Sequence, residues 1–170
     1  MNELVSQAQN AFMKRRYIHD NFLYVQRAIQ LLHKKKQLSF FIKLDISKAF
    51  DSVGWHYLLE VLEALGFSTN WRDWISDLFR SSSSKILING APSQSIPHAR
   101  GLRQGDLLSP LLFILAIDPL ERIIERAAQN GLFQPVLSKA ANLRCSLYAD
   151  VAALFAKPSS HELSNLQKIL

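Results

Sequence analysis

The sequence predicts an α+β fold in which a small antiparallel sheet packs on helices, and three features predict it. An apolar run, Phe40-Phe41-Ile42-Lys43-Leu44, ends abruptly in Asp45. A second apolar run carries Asp150 far downstream. Between them, Asn89-Gly90 marks a tight hairpin among segments whose apolar residues recur at helical spacing. A chain of 170 residues suits one domain, and 48% hydrophobic with 20% charged residues describes a globular chain that buries a core, which excludes disorder.

Taken in order, residues 3–13 read as weakly helical and lead into a basic turn, Lys14-Arg15-Arg16-Tyr17. A helix is expected from Asp20, with Phe22, Val25, Ile29 and Leu32 on one face and Lys34-Lys35-Lys36 at the negative end of its dipole. That lysine run is either a solvated terminus or a phosphate contact. The run ending at Asp45 suits a strand covered on both faces, with Ser39 before it and Ser52 to Gly54 after it as breaks. Trp55, Leu58, Leu59, Leu62 and Leu65 form the next apolar face, and Gly66 supplies a left-handed stop. A further helix begins near Asn70, with Trp71, Trp74, Ile75, Leu78 and Phe79 as its buried stripe; the tryptophans read as core rather than as platforms for bases.

Ser81 to Ser84 break the pattern, and Lys85 to Gly90 read as a strand entering a type I′ turn whose return strand runs towards Ile96. Ser109 as cap and Pro110 in the first turn open a helix through Phe113, Ile114 and Ile117, which Pro119 kinks or interrupts. A more polar stretch with Glu121, Arg122, Glu125 and Arg126 stops at Gln129-Asn130-Gly131. Ser160 caps a last helix with Leu163, Leu166 and Leu170 on one side. Internal repeats, low-complexity tracts and linkers are absent, so no boundary within the chain is expected.

Lys and Arg exceed Asp and Glu by 20 to 14, a net charge of +6, which favours a polyanionic partner such as nucleic acid. The single cysteine, Cys145, excludes a disulfide framework and a thiolate zinc site within the chain and fits an intracellular setting. The N-terminus lacks a signal pattern, and the longest apolar run, from Leu107 to Ile117, is broken by Ser109-Pro110, so no membrane span is expected.

A carboxylate at a strand end is a helix cap or a functional group, and Asp45 and Asp51 are both open to the first reading. Asp150 changes the balance, because two strand-borne carboxylates in one domain can converge. Mg²⁺ takes one or two protein carboxylates along with substrate phosphates. Two such ions about 3.5–4 Å apart stabilise the attacking and leaving oxygens of phosphoryl transfer. The loop Ala99-Arg100-Gly101-Leu102-Arg103-Gln104-Gly105 has its own logic: glycines allow close backbone approach to a ligand, while Arg103 and Gln104 offer donors to phosphate or base.

The stretches 40–51, 99–113 and 144–155, with Gln9, Phe12, Arg16, Ile18, Asp20 and Asn21 upstream, together resemble the reverse transcriptase domain of non-LTR, LINE-type retrotransposons, most closely the plant elements. The resemblance covers nearly the whole chain. It implies the fingers-and-palm part of a right-hand polymerase, with 1–39 a fingers-like helical segment and 40–170 a palm carrying inserted fingers elements. It implies RNA-directed DNA polymerase activity on an RNA template with a DNA primer and deoxynucleoside triphosphates, with two Mg²⁺ ions, or Mn²⁺, as cofactor.

Asp45 then matches the Asp of motif A and Asp150 the first Asp of Tyr-Ala-Asp-Asp; together with the Ile46 carbonyl they would hold the metals. Phe50 falls where the family places a bulky side chain under the sugar of the incoming nucleotide, against the alternative of ordinary core. Gln104 and Gly105 match motif B residues that contact that nucleotide and its template base, and Arg103 a phosphate contact. The upstream block reads as fingers structure without chemistry.

Three positions depart from the family pattern. Val151 stands where the second Asp belongs, and losing ~3 kcal/mol of transition-state stabilisation there would slow chemistry roughly a hundredfold. Leu107 replaces a Pro, removing a fixed φ before the motif B helix. Arg15 replaces a Gly and is strained by about 1 kcal/mol or more if that position needs positive φ. The expectation is a fragment, with endonuclease, full fingers and thumb absent, whose activity is impaired or lost. The alternatives are a non-catalytic nucleic-acid-binding remnant and a chain that makes no stable protein.

Overall fold

The computed structural model describes residues 3–136 and 144–170. In chain order the elements are α1 (Ile18–Lys34), β1 (Phe40–Asp45), α2 (Ala49–Ser52), α3 (Trp55–Ala64), α4 (Thr69–Arg80), β2 (Ser83–Ser84), β3 (Leu87–Ile88), β4 (Ala91–Pro92), β5 (Ile96–Pro97), α5 (Ser109–Gln129), β6 (Cys145–Tyr148), β7 (Val151–Ala156) and α6 (Ser160–Ile169). They form two compact units, residues 1–47 with 117–170, and residues 48–116.

The first unit is built on a three-stranded antiparallel sheet of order β1-β7-β6. Strand periodicity sorts its side chains. Ile42 and Leu44 of β1, Ala152 and Leu154 of β7 and Cys145 and Leu147 of β6 share a face, and pack with Ile124 and Ala127 of α5, Phe133 and Leu166. On the other face Phe155 packs with Ala28 and Leu32 of α1 and with Val136. β1 is not covered on both faces as expected. It is an edge strand, and Phe41, Lys43 and Asp45 alternate outward as exposed residues.

Helix α1 starts at Ile18, two residues before the expected start at Asp20, and Asp20 accepts the Tyr17 N–H at 3.2 Å from inside the first turn. Its buried face centres on Ala28 and Leu32, while Phe22 and Ile29 are exposed. The small Ala28 supplies the buried contact that the larger residues were expected to make. Residues 3–13 form turns, not a helix. There the Gln9 side chain accepts the Ala11 N–H at 2.9 Å, and Gln9 forms a parallel bridge to Leu147.

Helix α5 runs unbroken through Pro119. It ends as expected, with Gly131 at φ +76° and its N–H donating to Ala128. Ser159, one residue before the expected Ser160, caps α6 by accepting the Glu162 N–H at 3.1 Å. Leu166 is buried there, but Leu170 is exposed.

In the second unit, α3 buries Leu58, Val61 and Leu62 and stops at Gly66, φ +82°. Ser68 caps α4, whose buried stripe is narrower than expected: Ile75 and Phe79 are buried, whereas Trp74 is 69% exposed. The Trp55 and Phe79 rings stack at 5.2 Å. Two short ribbons follow, β2 with β5 and β3 with β4. Asn89 and Gly90 both adopt the positive φ that a type I′ turn requires. The Leu112 N–H donates to Leu108 O at 3.0 Å, so the first turn of α5 opens at Leu108 and Ser109 lies within it instead of capping it. No helix among the described residues is long and apolar enough to cross a membrane.

Candidate active site

The two aspartates singled out in the sequence lie beside each other at one end of the sheet. Asp45 ends β1 directly opposite Val151. The next residue, Ile46, donates its N–H to the Asp150 carbonyl at 3.0 Å. Asp45 is exposed and Asp150 half-buried, and neither carboxylate makes a hydrogen bond or ion pair among the described residues. The cap reading of Asp45 fails, because α2 starts at Ala49 and its N-cap position is Lys48, which is left-handed at φ +51° and makes no side-chain cap bond. Asp51 falls inside that helix.

Two oxygen donors without other partners suit a hard divalent ion that keeps waters and substrate phosphates as its remaining ligands. No group of three or more His, Cys, Asp or Glu residues gathers among the described residues. Paired residues of an antiparallel ladder project from the same face, so Val151 presents an isopropyl group beside Asp45.

In the second unit, the glycine-rich loop is tied to the stretch that follows Asp45. The Gly101 N–H donates to Val53 O at 2.8 Å, the Leu102 N–H to Phe50 O at 2.8 Å, and the Trp55 indole N–H to Gly101 O at 2.7 Å. Trp55 thus carries a polar bond that its place in an apolar stripe did not reveal. Gly101 has φ +90°, and a Cβ there would lie 3.0 Å from Asp51 O and 3.1 Å from its Cα, so only glycine fits without displacement. Phe50 is half-buried and stacks on Phe113 with centroids 4.7 Å apart, so one ring face is committed to packing. Arg103, Gln104 and Gly105 are exposed, and neither Arg103 nor Gln104 uses its side chain in a bond to another described residue. Gly105 has φ +90° with open space around it, and Leu107 is 94% exposed.

The sequence reading gave the upstream block no part in this site, yet it braces the Asp150 hairpin. Gln9 Oε1 accepts the Ala149 N–H at 3.2 Å, and the Asn21 side-chain amide donates to Leu147 O at 2.8 Å. Arg16 Nη1 donates to Gln9 O at 2.6 Å. Arg15 has φ +67°, the left-handed conformation for which glycine is the ordinary choice. Two buried carboxylates were also not anticipated. Asp118 accepts the Ser6 N–H at 2.7 Å and Arg122 Nε at 2.6 Å. Glu162 accepts the N–H groups of Gln134, at 2.6 Å, and Lys157, at 2.8 Å. Both satisfy backbone donors of irregular segments, a pairing that no local pattern announces.

The α+β architecture, with an antiparallel sheet in one unit and a glycine-rich loop ahead of a long helix in the other, is of the kind found in the fingers and palm of right-hand polymerases. The chain belongs to the reverse transcriptase (RNA-dependent DNA polymerase) family, whose model matches residues 1–170. It is 29% identical over 149 residues to the Retrovirus-related Pol polyprotein from type-2 retrotransposable element R2DM of Drosophila melanogaster, covering 88% of this chain and 14% of that one. It is 28% identical over 166 residues to the corresponding polyprotein from type-1 retrotransposable element R2 of Nasonia vitripennis, covering 98% and 16%. A stretch of 46 residues, 27% of this chain, is 51% identical to an uncharacterized mitochondrial protein of Arabidopsis thaliana, of which it covers 38%.

The chain therefore spans 14% and 16% of the two polyproteins. Among solved structures, telomerase from Candida albicans in complex with a fragment of telomeric RNA superposes with a TM-score of 0.66 at 13% identity, over 99% of this chain and 29% of that one. Apo telomerase from Candida tropicalis gives 0.62 at 14% identity, over 96% and 32%. At these identities the likeness establishes the fold.

Proposed function

We propose that this chain is the part of a non-LTR retrotransposon reverse transcriptase that carries the metal carboxylates and the nucleotide-binding loop, and that Val151 impairs its RNA-directed DNA synthesis. The observation that carries the reading is the register of β1 on β7, which sets Asp45 opposite Val151 and next to Asp150 in a chain matched along its length by the reverse transcriptase family. Asp45, Asp150 and the Ile46 carbonyl would hold Mg²⁺ or Mn²⁺. When bound, such ions supply charge stabilisation at the attacking and leaving oxygens of nucleotidyl transfer to a primer 3′-hydroxyl. Phe50 limits the room beside the sugar of the incoming deoxynucleotide. Arg103 binds phosphate through its guanidinium. Gln104 and Gly105 bind the nucleotide and its template base. The RNA template and DNA primer are held through the basic character of the chain, +6 at neutral pH.

The missing third carboxylate favours a second reading, a remnant that binds nucleic acid without extending a primer. Primer extension on an RNA template, by the chain as given and by Val151→Asp with flanking regions of the polyprotein restored, separates the two. Little extension by the first and measurable extension by the second is the expected result. Salt-sensitive binding with no extension by either supports the remnant.

A further inference from the structure

We propose that Gln9 is a positioning residue for Asp150: its side-chain carbonyl holds the left-handed turn from which that aspartate is presented beside Asp45. Gln9 is fully buried at 0% exposure. Its Oε1 takes two backbone donors, Ala11 N–H at 2.9 Å and Ala149 N–H at 3.2 Å. Ala149 has φ +51°, a conformation that L-residues adopt reluctantly, and it directly precedes Asp150. An acceptor on its N–H fixes the turn at the residue where the backbone is least content.

The residues flanking Gln9 place its side chain. Leu147 N–H donates to Ala8 O at 2.9 Å, and Asn10 N–H donates to Leu147 O at 3.2 Å, so residues 8–10 run parallel to β6 as a short additional partner on the edge away from β7. Asn21 adds a second donor to Leu147 O at 2.8 Å, and Ser146 Oγ donates to Asn21 Oδ1 at 3.0 Å. β6 and its turn are therefore held from both sides, by β7 and by the upstream block.

A space-filling role does not account for the residue. The Gln9 amide nitrogen is buried without a hydrogen-bond partner, a cost that an apolar side chain of similar volume avoids. What glutamine offers here that methionine does not is the carbonyl on Ala11 and Ala149. The proposal rests on the metal reading of Asp45 and Asp150 only for its catalytic consequence; the restraint of the turn stands apart from it.

The test is Gln9→Met, which keeps the volume and removes the acceptor, read by amide hydrogen exchange in the whole chain. Loss of one net hydrogen bond corresponds to about a fivefold change in local opening. Exchange at Ala149 is expected to accelerate about fivefold or more, while Leu154 in the centre of β7 exchanges as before. Acceleration at Ala149 no greater than at Leu154 overturns the proposal, since that is the signature of general core loosening. Should Gln9→Met fail to fold, Gln9→Glu and Ala149→Gly give the same reading. The first keeps the acceptor and is expected to leave Ala149 slow, and the second relieves the backbone and is expected to lose its dependence on residue 9; the reverse pair of results overturns the proposal. Mn²⁺ affinity measured in the Val151→Asp background serves as the second readout, with an expected weakening on adding Gln9→Met. An absence of Mn²⁺ binding in both proteins tells against the metal reading alone and leaves the exchange result to decide the role of Gln9.

Discussion

Val151→Asp has an effect that can be worked out from the register before any activity is measured. Residue 151 lies opposite Asp45, and directly opposed residues hold their Cβ atoms about 4.5–5.5 Å apart. Two carboxylates at ~5 Å repel by roughly 0.8 kcal/mol in a water-like dielectric and roughly 3 kcal/mol at an effective value of 20. Asp45 is exposed and Val151 half-buried, so the lower part of that range applies, about 1–2 kcal/mol. Removing the half-buried apolar side chain adds about 1 kcal/mol. In chelator the variant is therefore expected to be about 2–3 kcal/mol less stable than the parent by urea unfolding.

A divalent ion at 100 times its dissociation constant returns about 2.7 kcal/mol. The expected signature is a variant that is weak in chelator and recovers in Mg²⁺ or Mn²⁺, against a parent that responds little. Adding Asp45→Asn to Val151→Asp removes both the repulsion and the recovery. A variant indifferent to metal, or a recovery that survives Asp45→Asn, refutes the reasoning.

Gly101→Ala is expected to lose ~2 kcal/mol or more in urea unfolding, because the new Cβ meets the Asp51 backbone at 3.0 Å and φ is +90°. Wild-type stability in that variant would show that the loop is not held against Asp51. Arg15→Gly is expected to gain about 1 kcal/mol, seen as a raised melting temperature, since φ is +67° and the arginine has a left-handed penalty to lose. Burial pushes the Cys145 thiol up to about 12, so iodoacetamide at pH 8 is expected to leave it unmodified in the folded chain and to label it in urea. The sign for stability follows: the unfolded thiol ionises near its ordinary value while the folded one stays neutral, so this contribution is intact below pH 9 and declines between pH 9 and about 12. Rapid labelling of folded protein contradicts this placement of Cys145.

Local chemistry explains which parts of this structure were readable in the sequence. Asn89-Gly90, Gly66 and Gly131 announced their turns because each needs a backbone conformation that few residues supply. The convergence of Asp45 and Asp150 was legible through the motif pattern rather than through periodicity. Periodicity misjudged burial wherever tertiary packing decided it: Phe22, Ile29 and Trp74 have the right spacing but the wrong neighbours. One limit of the two compact units, after Ala116, falls inside the continuous helix α5, where no change in composition marks it. Gln9 stayed invisible because its partner, Ala149, is distant in sequence and offers only a backbone N–H.

The pairing of β1 with β7, from Phe40 opposite Ala156 to Asp45 opposite Val151, is a matter of odd and even. Substitutions along these strands alter one contact each, whereas inserting or deleting a single residue exchanges inside for outside along the remainder of the strand. Such a slip would turn Asp45 into the apolar layer now occupied by Ile42 and Leu44, and bring Leu44 out to water. The sheet is thus far more tolerant of replacements than of a one-residue gap early in either strand.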